Sequence, residues 1–289
     1  MEIQTYRMSG AGNLFTVIDN RKYNFTGDEG IFLAKILCNI NEFNDYQCEG
    51  LMLVQPINGS CDFEVLYYNP DGTTGMMCGN GGRCAVNFAA SLGFIDKKND
   101  ISFLMSGDIY SASITGEEVE LVLPAPRNIQ SNVSIDIHEM ELTGDYIDVG
   151  SEHFVLNKDS SQHFKNISLN EVDIKELGKM VRFHKRFEPK GVNFNFYALE
   201  DNKIHLRTYE RGVENETGAC GTGAISTALS AYLNNRIKLP VVIIPTSGEK
   251  LEVDIKFDEQ DEIMHFLMTG PAIFTSEKII VIPETKIFD

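Results

Sequence analysis

Two cysteines in this 289-residue sequence are each followed at once by a glycine, a polar residue and a second glycine. The segments are Met77-Cys78-Gly79-Asn80-Gly81 and Ala219-Cys220-Gly221-Thr222-Gly223. After each segment, small and apolar side chains recur three and four positions apart, which predicts a helix that begins beside the cysteine. Each thiol would then lie at a helix N-terminus, where unpaired N–H groups and the helix dipole favour the thiolate.

The same helix ends are candidate anion sites, because glycines let a ligand approach their backbone N–H groups closely. Two thiols that face one ligand can remove a proton from one side of a carbon and return a proton to the other side. A carbanion beside a carboxylate would be stabilised by the positive ends of both helices. The pattern therefore favours inversion of an α-carbon by a pair of thiols, with no cofactor.

Two other functions use similar residues. A cysteine hydrolase or acyltransferase needs a thiolate, a histidine base and an orienting Asn or Asp, and Cys220 with His153 fits that description. It leaves Cys78 without a role. A nucleotide-binding protein needs glycines around a phosphate, but none of the three Gly-x-Gly segments, at positions 10, 79 and 221, completes a GxGxxG or P-loop motif.

The two cysteines lie 142 positions apart, and their surroundings repeat. A Ser-Gly-acid turn follows Cys78 by 28 residues and Cys220 by 27, each time between strand-like runs. A weaker repeat pairs residues 12–17 with residues 150–155. We therefore predict an α/β (α+β) fold of two pseudo-symmetric halves, each a mixed or antiparallel sheet wrapped around a central helix, with the active site in the cleft between them.

The boundary between the halves is expected at the Pro-Ala-Pro segment, residues 124–126, because prolines interrupt regular structure. Residues 1–124 would form the half that carries Cys78, completed by a C-terminal strand within residues 273–289. Residues 125–272 would form the half that carries Cys220. The sequence leaves open whether the protein is a monomer or a homodimer.

The charge of the chain limits its partners. It has 25 Lys and Arg against 42 Asp and Glu, a formal net charge of −17, which opposes binding to nucleic acids and anionic membranes. No run approaches the roughly 20 apolar residues of a transmembrane helix. The first residues also lack the basic and apolar regions of an export signal. We expect a cytoplasmic protein that binds a small-molecule amino acid, and neither nucleic acid nor membrane.

The remaining cysteines are Cys38, Cys48, Cys61 and Cys84. Their number and spacing match neither a disulfide framework nor a structural metal site. We expect each of them to be a small buried side chain with no chemical role. Cys84 lies within the helix predicted after Cys78, which places it in the core.

The cysteine motifs and their flanks resemble those of the diaminopimelate epimerase family. The first matching segment runs from Asn69-Pro70-Asp71-Gly72 to Cys78-Gly79-Asn80-Gly81-Gly82-Arg83-Cys84, and the second from Tyr209-Glu210-Arg211-Gly212 to Cys220-Gly221-Thr222-Gly223-Ala224. Further matches are Gly10-Ala11-Gly12-Asn13, Gly150-Ser151-Glu152-His153 and Val192-Asn193. The resemblance spans the whole chain and implies a cofactor-independent, two-base epimerase that interconverts LL- and meso-diaminopimelate. A cofactor-independent racemase of another amino acid, such as histidine, is the alternative.

The resemblance also implies roles for single residues. Cys78 and Cys220 would be the catalytic acid and base, and His153 would support them. The residues implied to bind substrate are Asn13, Asn69, Gly79, Asn80, Ser151, Asn193, Glu210, Arg211, Gly221 and Thr222. Backbone N–H groups after each cysteine would hold the reacting carboxylate, and Glu210 with Arg211 would hold the distal amino acid group. No metal ligand is implied.

Three positions depart from the family pattern. Leu14 stands where Asp is common, and Glu152 stands where Pro is usual. Ser151 replaces the more usual Asn, which shortens the side chain but keeps a hydrogen-bonding group. These departures bear on the choice of substrate more than on the type of reaction.

Overall fold

Short runs in which apolar and polar residues alternate make up most of the chain, and they form β-strands. The structure is a computed structural model that describes residues 1–42, 44–74, 77–96 and 98–283. Residues 284–289, the end of the segment expected to complete the first half, lie outside the described residues. The chain divides into one unit formed by Met1–Val122 with the segment from Gly270 onward, and a second unit formed by Leu123–Thr269.

The strands are β1 (Glu2–Gly10), β2 (Asn13–Asp19), β3 (Gly50–Gln55), β4 (Phe63–Tyr68), β5 (Ile101–Met105), β6 (Asp108–Thr115), β7 (Glu118–Pro124), β8 (Asn128–Ile137), β9 (Met140–Asp148), β10 (Glu152–Asn157), β11 (Asn193–Glu200), β12 (Lys203–Glu210), β13 (Asn215–Thr217), β14 (Val241–Pro245), β15 (Leu251–Phe257), β16 (Ile263–Pro271) and β17 (Ile273–Val281). The α-helices are α1 (Gly27–Leu37), α2 (Gly79–Ser91), α3 (Ile174–Arg182) and α4 (Gly221–Leu233). Short 3-10 turns cover Asn20–Lys22, Lys158–Ser160, Leu169–Glu171 and Lys185–Phe187.

The first unit contains a mixed sheet in the order β17-β1-β2-β3-β4-β5-β6-β7. The pairs β2/β3 and β4/β5 are parallel, and the other neighbours are antiparallel. Strand alternation directs neighbouring side chains to opposite faces. Leu51 and Leu53 accordingly join the apolar cluster around α1, whereas Met52 lies beside Gly81 of α2.

The second unit contains a mixed sheet in the order β8-β9-β10-β11-β12-β14-β15-β16. Here β10/β11 and β12/β14 are the parallel pairs, and β13 adds to β12. Helix α4 packs against β10 and β11, and α3 packs against β11 and β12. The apolar face of α3, with Leu177 and Val181, completes a core cluster with Phe194 and Phe196 of β11.

Parallel and antiparallel strand pairs follow one another in the same order in the two sheets. The equivalent strands β2 and β10 hold the residues of the weaker sequence repeat. Helices α2 and α4 each bury ten of their 13 residues, because these residues are small and mostly uncharged. The predicted fold class, duplicated α/β halves with mixed sheets and a central helix, is therefore confirmed. Within the described residues, no helix has the length and apolar character needed to cross a membrane.

Three of the four remaining cysteines, Cys38, Cys48 and Cys84, are buried as expected, and Cys61 is half-buried. Cys38 and Cys48 also have a partner that the sequence did not reveal, since their thiols are hydrogen-bonded to each other. This bond raises the pKa of Cys38 and lowers that of Cys48. The backbone N–H of Cys48 also donates to the carbonyl of Cys38 at 2.9 Å.

Candidate active site

Cys78 and Cys220 occupy equivalent places, the residue that caps the N-terminus of the central helix in each unit. The backbone of Cys78 has φ −108° and ψ 114°, and that of Cys220 has φ −115° and ψ 113°. The first helical hydrogen bonds run from Gly82 N–H to the Cys78 carbonyl at 2.7 Å and from Ala224 N–H to the Cys220 carbonyl at 2.9 Å. Both thiols therefore lie at the positive end of a buried helix.

In the second unit the helix end contacts the sulfur of Cys220 directly. The N–H of Gly223 donates to Cys220 Sγ at 3.4 Å, and Thr222 Oγ1 lies 3.5 Å from the same sulfur. A Cβ added at Gly223 would lie 2.4 Å from Asn195 Oδ1 and 3.3 Å from Cys220 Sγ. Glycine is therefore required here for close approach, and the N–H donor favours a thiolate.

In the first unit a tight hairpin lies against the start of α2. Ala11 and Gly12, with φ 53° and 90°, form the turn that pairs Gly10 with Asn13. A Cβ added at Gly10 would lie 2.5 Å from the carbonyl oxygen of Asn80, so only glycine allows this approach. The hairpin thus places Asn13 beside the first turn of α2, which contains Gly79 and Asn80, both buried.

Arg83 is fully buried beneath this helix end. Its Nη2 donates to Asn80 Oδ1 at 2.7 Å, while Nε and Nη1 have no hydrogen-bond partner among the residues that the structure describes. Burial lowers the pKa of Arg83 to about 10, so it is a cation at neutral pH, and its charge interacts with Cys84 and Cys78. Arg83 therefore fixes the side chain of Asn80 and adds positive charge near Cys78.

Asn69 lies in a turn that follows β4. Its side-chain amide donates to Thr73 Oγ1 at 3.0 Å, and its backbone N–H donates to the Thr73 carbonyl at 2.8 Å. Asn69 therefore has the local bonding of a turn residue. Its implied role in substrate binding stays a prediction.

A buried polar chain connects β10, β11 and α4 in the second unit. Asn195 Nδ2 donates to His153 Nδ1 at 2.8 Å, and His153 Nε2 lies 2.9 Å from Ser151 Oγ. Ser151 in turn donates to Thr222 Oγ1 at 3.2 Å. These hydrogen bonds connect His153 and Ser151 to Thr222, whose hydroxyl contacts the sulfur of Cys220. All three residues were named from the sequence.

Asn193, Arg211 and Glu152 form a second polar group in this unit. Asn193 Oδ1 accepts from the backbone N–H of Arg211 at 2.9 Å, and its Nδ2 donates to the carbonyl of Glu152 at 3.1 Å. The guanidinium of Arg211 lies 2.7 Å from the carboxylate of Glu152. Glu210, the last residue of β12, accepts a hydrogen bond from the Thr217 hydroxyl.

Sequence reasoning missed Asn195, Arg83 and the role of Glu152. The sequence could have indicated Asn195, because it follows Asn193 by two positions in a mostly apolar strand and so lies on the same face. It could also have indicated Arg83, which is the only charged residue in the sequence of α2. Nothing in the sequence indicates the pair of Glu152 and Arg211, because the two residues are far apart along the chain.

Comparison with known proteins links most of the chain to one family. The sequence model of diaminopimelate epimerase matches residues 5–123 and 146–275. The diaminopimelate epimerase of Flavobacterium psychrophilum is 33% identical over 280 residues, which cover 96% of this chain and all of that protein. That of Aquifex aeolicus is 33% identical over 266 residues, covering 89% of this chain and 91% of the relative.

Solved structures with low sequence identity share the fold. A phenazine biosynthesis protein of the PhzF family from Bacillus anthracis superposes with a TM-score of 0.74 at 13% identity, covering 98% of this chain and 100% of the other. A hydroxyproline epimerase from Agrobacterium vitis superposes with a TM-score of 0.70 at 13% identity, covering 96% of this chain and 92% of the other. The family match and the relatives at 33% identity show that the chain belongs to the diaminopimelate epimerase family and is an isomerase of the epimerase and racemase class.

Proposed function

We propose that this enzyme interconverts LL- and meso-diaminopimelate by transfer of two protons at one α-carbon, with Cys78 and Cys220 as base and acid and no cofactor. A thiolate on one side takes the α-hydrogen and becomes a thiol. The thiol on the other side gives its proton to the carbanion and becomes a thiolate. The carbon is inverted, and the reverse reaction exchanges the two roles.

The observation that carries this proposal is the equivalence of the two cysteines. Each caps a buried central helix, with backbone angles that agree within 7° in φ and 1° in ψ (−108° against −115°, and 114° against 113°). Equivalent positions at a helix N-terminus support similar proton affinities, which a reversible two-base reaction needs. The N–H groups of the first turns, at Gly79 and Asn80 and at Gly221 and Thr222, are suited to hold the substrate carboxylate and to stabilise charge that develops on it.

Two groups of the second unit extend the proposal to the distal end of the substrate. Glu210 and Arg211 are neighbours in the chain and offer a carboxylate and a guanidinium, which complement an ammonium and a carboxylate. Asn13 and Asn69 of the first unit, and Ser151 and Asn193 of the second, are proposed as further polar contacts to the substrate.

A second candidate, racemisation of another amino acid such as histidine, has one observation in its favour. Arg211 is already paired with Glu152, so a substrate with no distal carboxylate would not leave Arg211 without a counter-ion. The relatives named diaminopimelate epimerase favour the first candidate.

The test is incubation of the enzyme in deuterated water with LL-diaminopimelate, histidine, alanine, proline or glutamate, followed by NMR. We expect loss of the α-hydrogen signal and formation of the meso isomer with diaminopimelate alone. Faster exchange with a monoamino acid would transfer the assignment to the second candidate. Exchange with none of these substrates would reject both.

A further inference from the structure

Arg211, the residue proposed to hold the distal carboxylate of the substrate, already binds a carboxylate of its own chain. Its Nη1 lies 2.7 Å from Oε2 of Glu152 and donates to the carbonyl of Gly191 at 3.2 Å. The Glu152 side chain is 12% exposed and the Arg211 side chain 22%. Limited contact with water makes such a pair stronger than one at an open surface.

Asn193 holds the backbone on both sides of this pair. Its Nδ2 donates to the carbonyl of Glu152, and its Oδ1 accepts from the N–H of Arg211. Asn193 itself is the first residue of β11 and is buried. Glu152 and Arg211 are therefore held opposite each other before a ligand binds.

Lys190 contacts the same carboxylate from the solvent side. Its Nζ lies 3.0 Å from Oε1 of Glu152, and its side chain is 74% exposed. Burial raises the pKa of Glu152, but hydrogen bonds from Lys190 and Arg211 outweigh burial and leave that pKa below its ordinary value. Glu152 is thus ionised at neutral pH. If its ion pair with Arg211 breaks, Lys190 remains as a counter-ion.

We propose that Glu152 occupies, on Arg211, the place of the substrate's distal carboxylate, and that substrate binding exchanges one carboxylate for the other. The inference rests on the proposed function, which supplies the ligand. A carboxylate fixed within the chain competes at a high effective concentration, so it weakens the binding of any ligand that needs Arg211. Glu152 is therefore a specificity-determining residue that acts on substrate affinity and not on the proton transfers.

The same exchange changes how the enzyme treats ligands that lack a distal carboxylate. Such a ligand makes no bond to Arg211 and leaves the ion pair with Glu152 intact, so Glu152 does not weaken its binding. With Glu152 present, Arg211 keeps a partner when it binds. Glu152 therefore reduces the ratio of the affinity for diaminopimelate to the affinity for lysine. Lysine differs from diaminopimelate only in lacking the distal carboxylate.

The variant Glu152→Gln tests the inference, because it removes the charge and keeps the size of the side chain. We expect KM for diaminopimelate to fall about ten-fold with kcat within two-fold of wild type. The inhibition constant of L-lysine should stay within two-fold. Glu152→Ala should show the same pattern, and thermal unfolding of both variants checks that they are folded.

The matched control is Glu188→Gln. It removes the same charge from an exposed residue two positions before Lys190, and Glu188 makes no contact with Arg211 among those seen in the structure. We expect no more than a two-fold change in KM. An equal fall in KM for both variants would attribute the effect to net charge and overturn the inference. A higher KM in the Glu152 variants would also overturn it, because Glu152 would then position Arg211 for the substrate.

The inference and the proposed function fail in different ways. If wild-type enzyme does not turn over diaminopimelate, the proposed function fails. Calorimetric titration with diaminopimelate and with lysine then decides the role of Glu152 separately. Tighter binding of diaminopimelate alone by Glu152→Gln supports the exchange, and equal, weaker or absent binding overturns it.

Discussion

Nδ1 of His153 accepts a hydrogen bond from the side-chain amide of Asn195 at 2.8 Å. The bond assigns the ring proton to Nε2, which lies 2.9 Å from Ser151 Oγ. Both ring nitrogens are thereby engaged, and burial together with the charge of Arg211 lowers the pKa of His153 to about 3. His153 is thus a neutral support for Ser151 at neutral pH, which argues against its use as the base of a cysteine hydrolase.

The low pKa of His153 predicts acid sensitivity. The folded protein keeps His153 neutral down to about pH 3, whereas the unfolded chain binds a proton below about pH 6.5. The unfolded state therefore binds more protons between these values, and stability falls as pH drops, by at most about 1.4 kcal/mol per unit. In urea unfolding at pH 7.5 and 5, His153→Gln should lose less stability than wild type. His163→Gln, at an exposed position, should lose as much as wild type. Equal pH dependence in all three proteins would show that His153 is not held neutral.

Replacing either of the two cysteines proposed as acid and base should stop epimerisation. We expect Cys78→Ala and Cys220→Ala each to lower kcat by at least about 1,000-fold, because one thiol can exchange a proton on one face but cannot deliver one to the other. Far-UV circular dichroism should be unchanged. Cys61→Ala, at a half-buried position outside the two cysteine motifs, should keep wild-type activity. Full turnover by either single variant would rule out the two-base mechanism.

Removal of metal ions should leave the reaction unaffected, because the proposed proton transfers use only thiols and backbone donors. Within the described residues, no three His, Cys, Asp or Glu side chains are grouped as a metal site requires. The check is an assay after exhaustive chelation, with metal content measured in parallel. Lost activity that a single divalent ion restores would contradict the cofactor-free proposal.

Gly223→Ala should damage the site although alanine favours a helix by about 1 kcal/mol. The added Cβ would lie 2.4 Å from Asn195 Oδ1, so Asn195 must move and its bond to His153 must weaken. We expect a loss of stability of about 1 to 3 kcal/mol and at least a ten-fold lower kcat/KM. Gly27→Ala in α1 is the matched control, since no atom of the described residues lies within 4 Å of its added Cβ. Similar behaviour of the two variants would mean that the packing around Asn195 is not tight.

Arg83→Met should separate stability from activity. A buried cation is costly when two of its nitrogens have no partner in the described part of the chain. An apolar side chain of similar length removes that cost, so Tm should stay equal or rise. Asn80 would lose its 2.7 Å hydrogen bond, and kcat/KM should fall about ten-fold. Arg186→Met, at an exposed position, should change neither. A lower Tm with unchanged kcat/KM would show that Arg83 serves only the core.

The parts of the fold that local pattern controls were predictable from the sequence. The helices after Cys78 and Cys220 begin where the glycines and small residues indicate, because helix caps and helix periodicity depend on neighbouring residues. The repeated turns also revealed the duplication, since two copies of one unit repeat the same local signals.

Contacts made by tertiary packing were not predictable in the same way. Glu152 meets Arg211, and Cys38 meets Cys48, only because strands and loops bring distant segments together. Arg83 contradicts the usual rule, since arginine is rarely fully buried. A single sequence gives residue types and spacings, and these contacts depend on which side chains the folded sheets bring to one place.

The pairing of β17 with β1 also has a consequence for the order in which the two units fold. Strand β17 pairs with β1 from Glu2↔Val281 to Ser9↔Ile273. During synthesis, β1 therefore cannot form this pairing until the whole second unit and then β17 have been made. Until then β1 exposes the unpaired N–H and C=O groups of a sheet edge. The second unit is continuous in sequence and has no such delay. We therefore expect it to fold first during synthesis, while the first unit passes through an incomplete state that is open to mispairing with other chains.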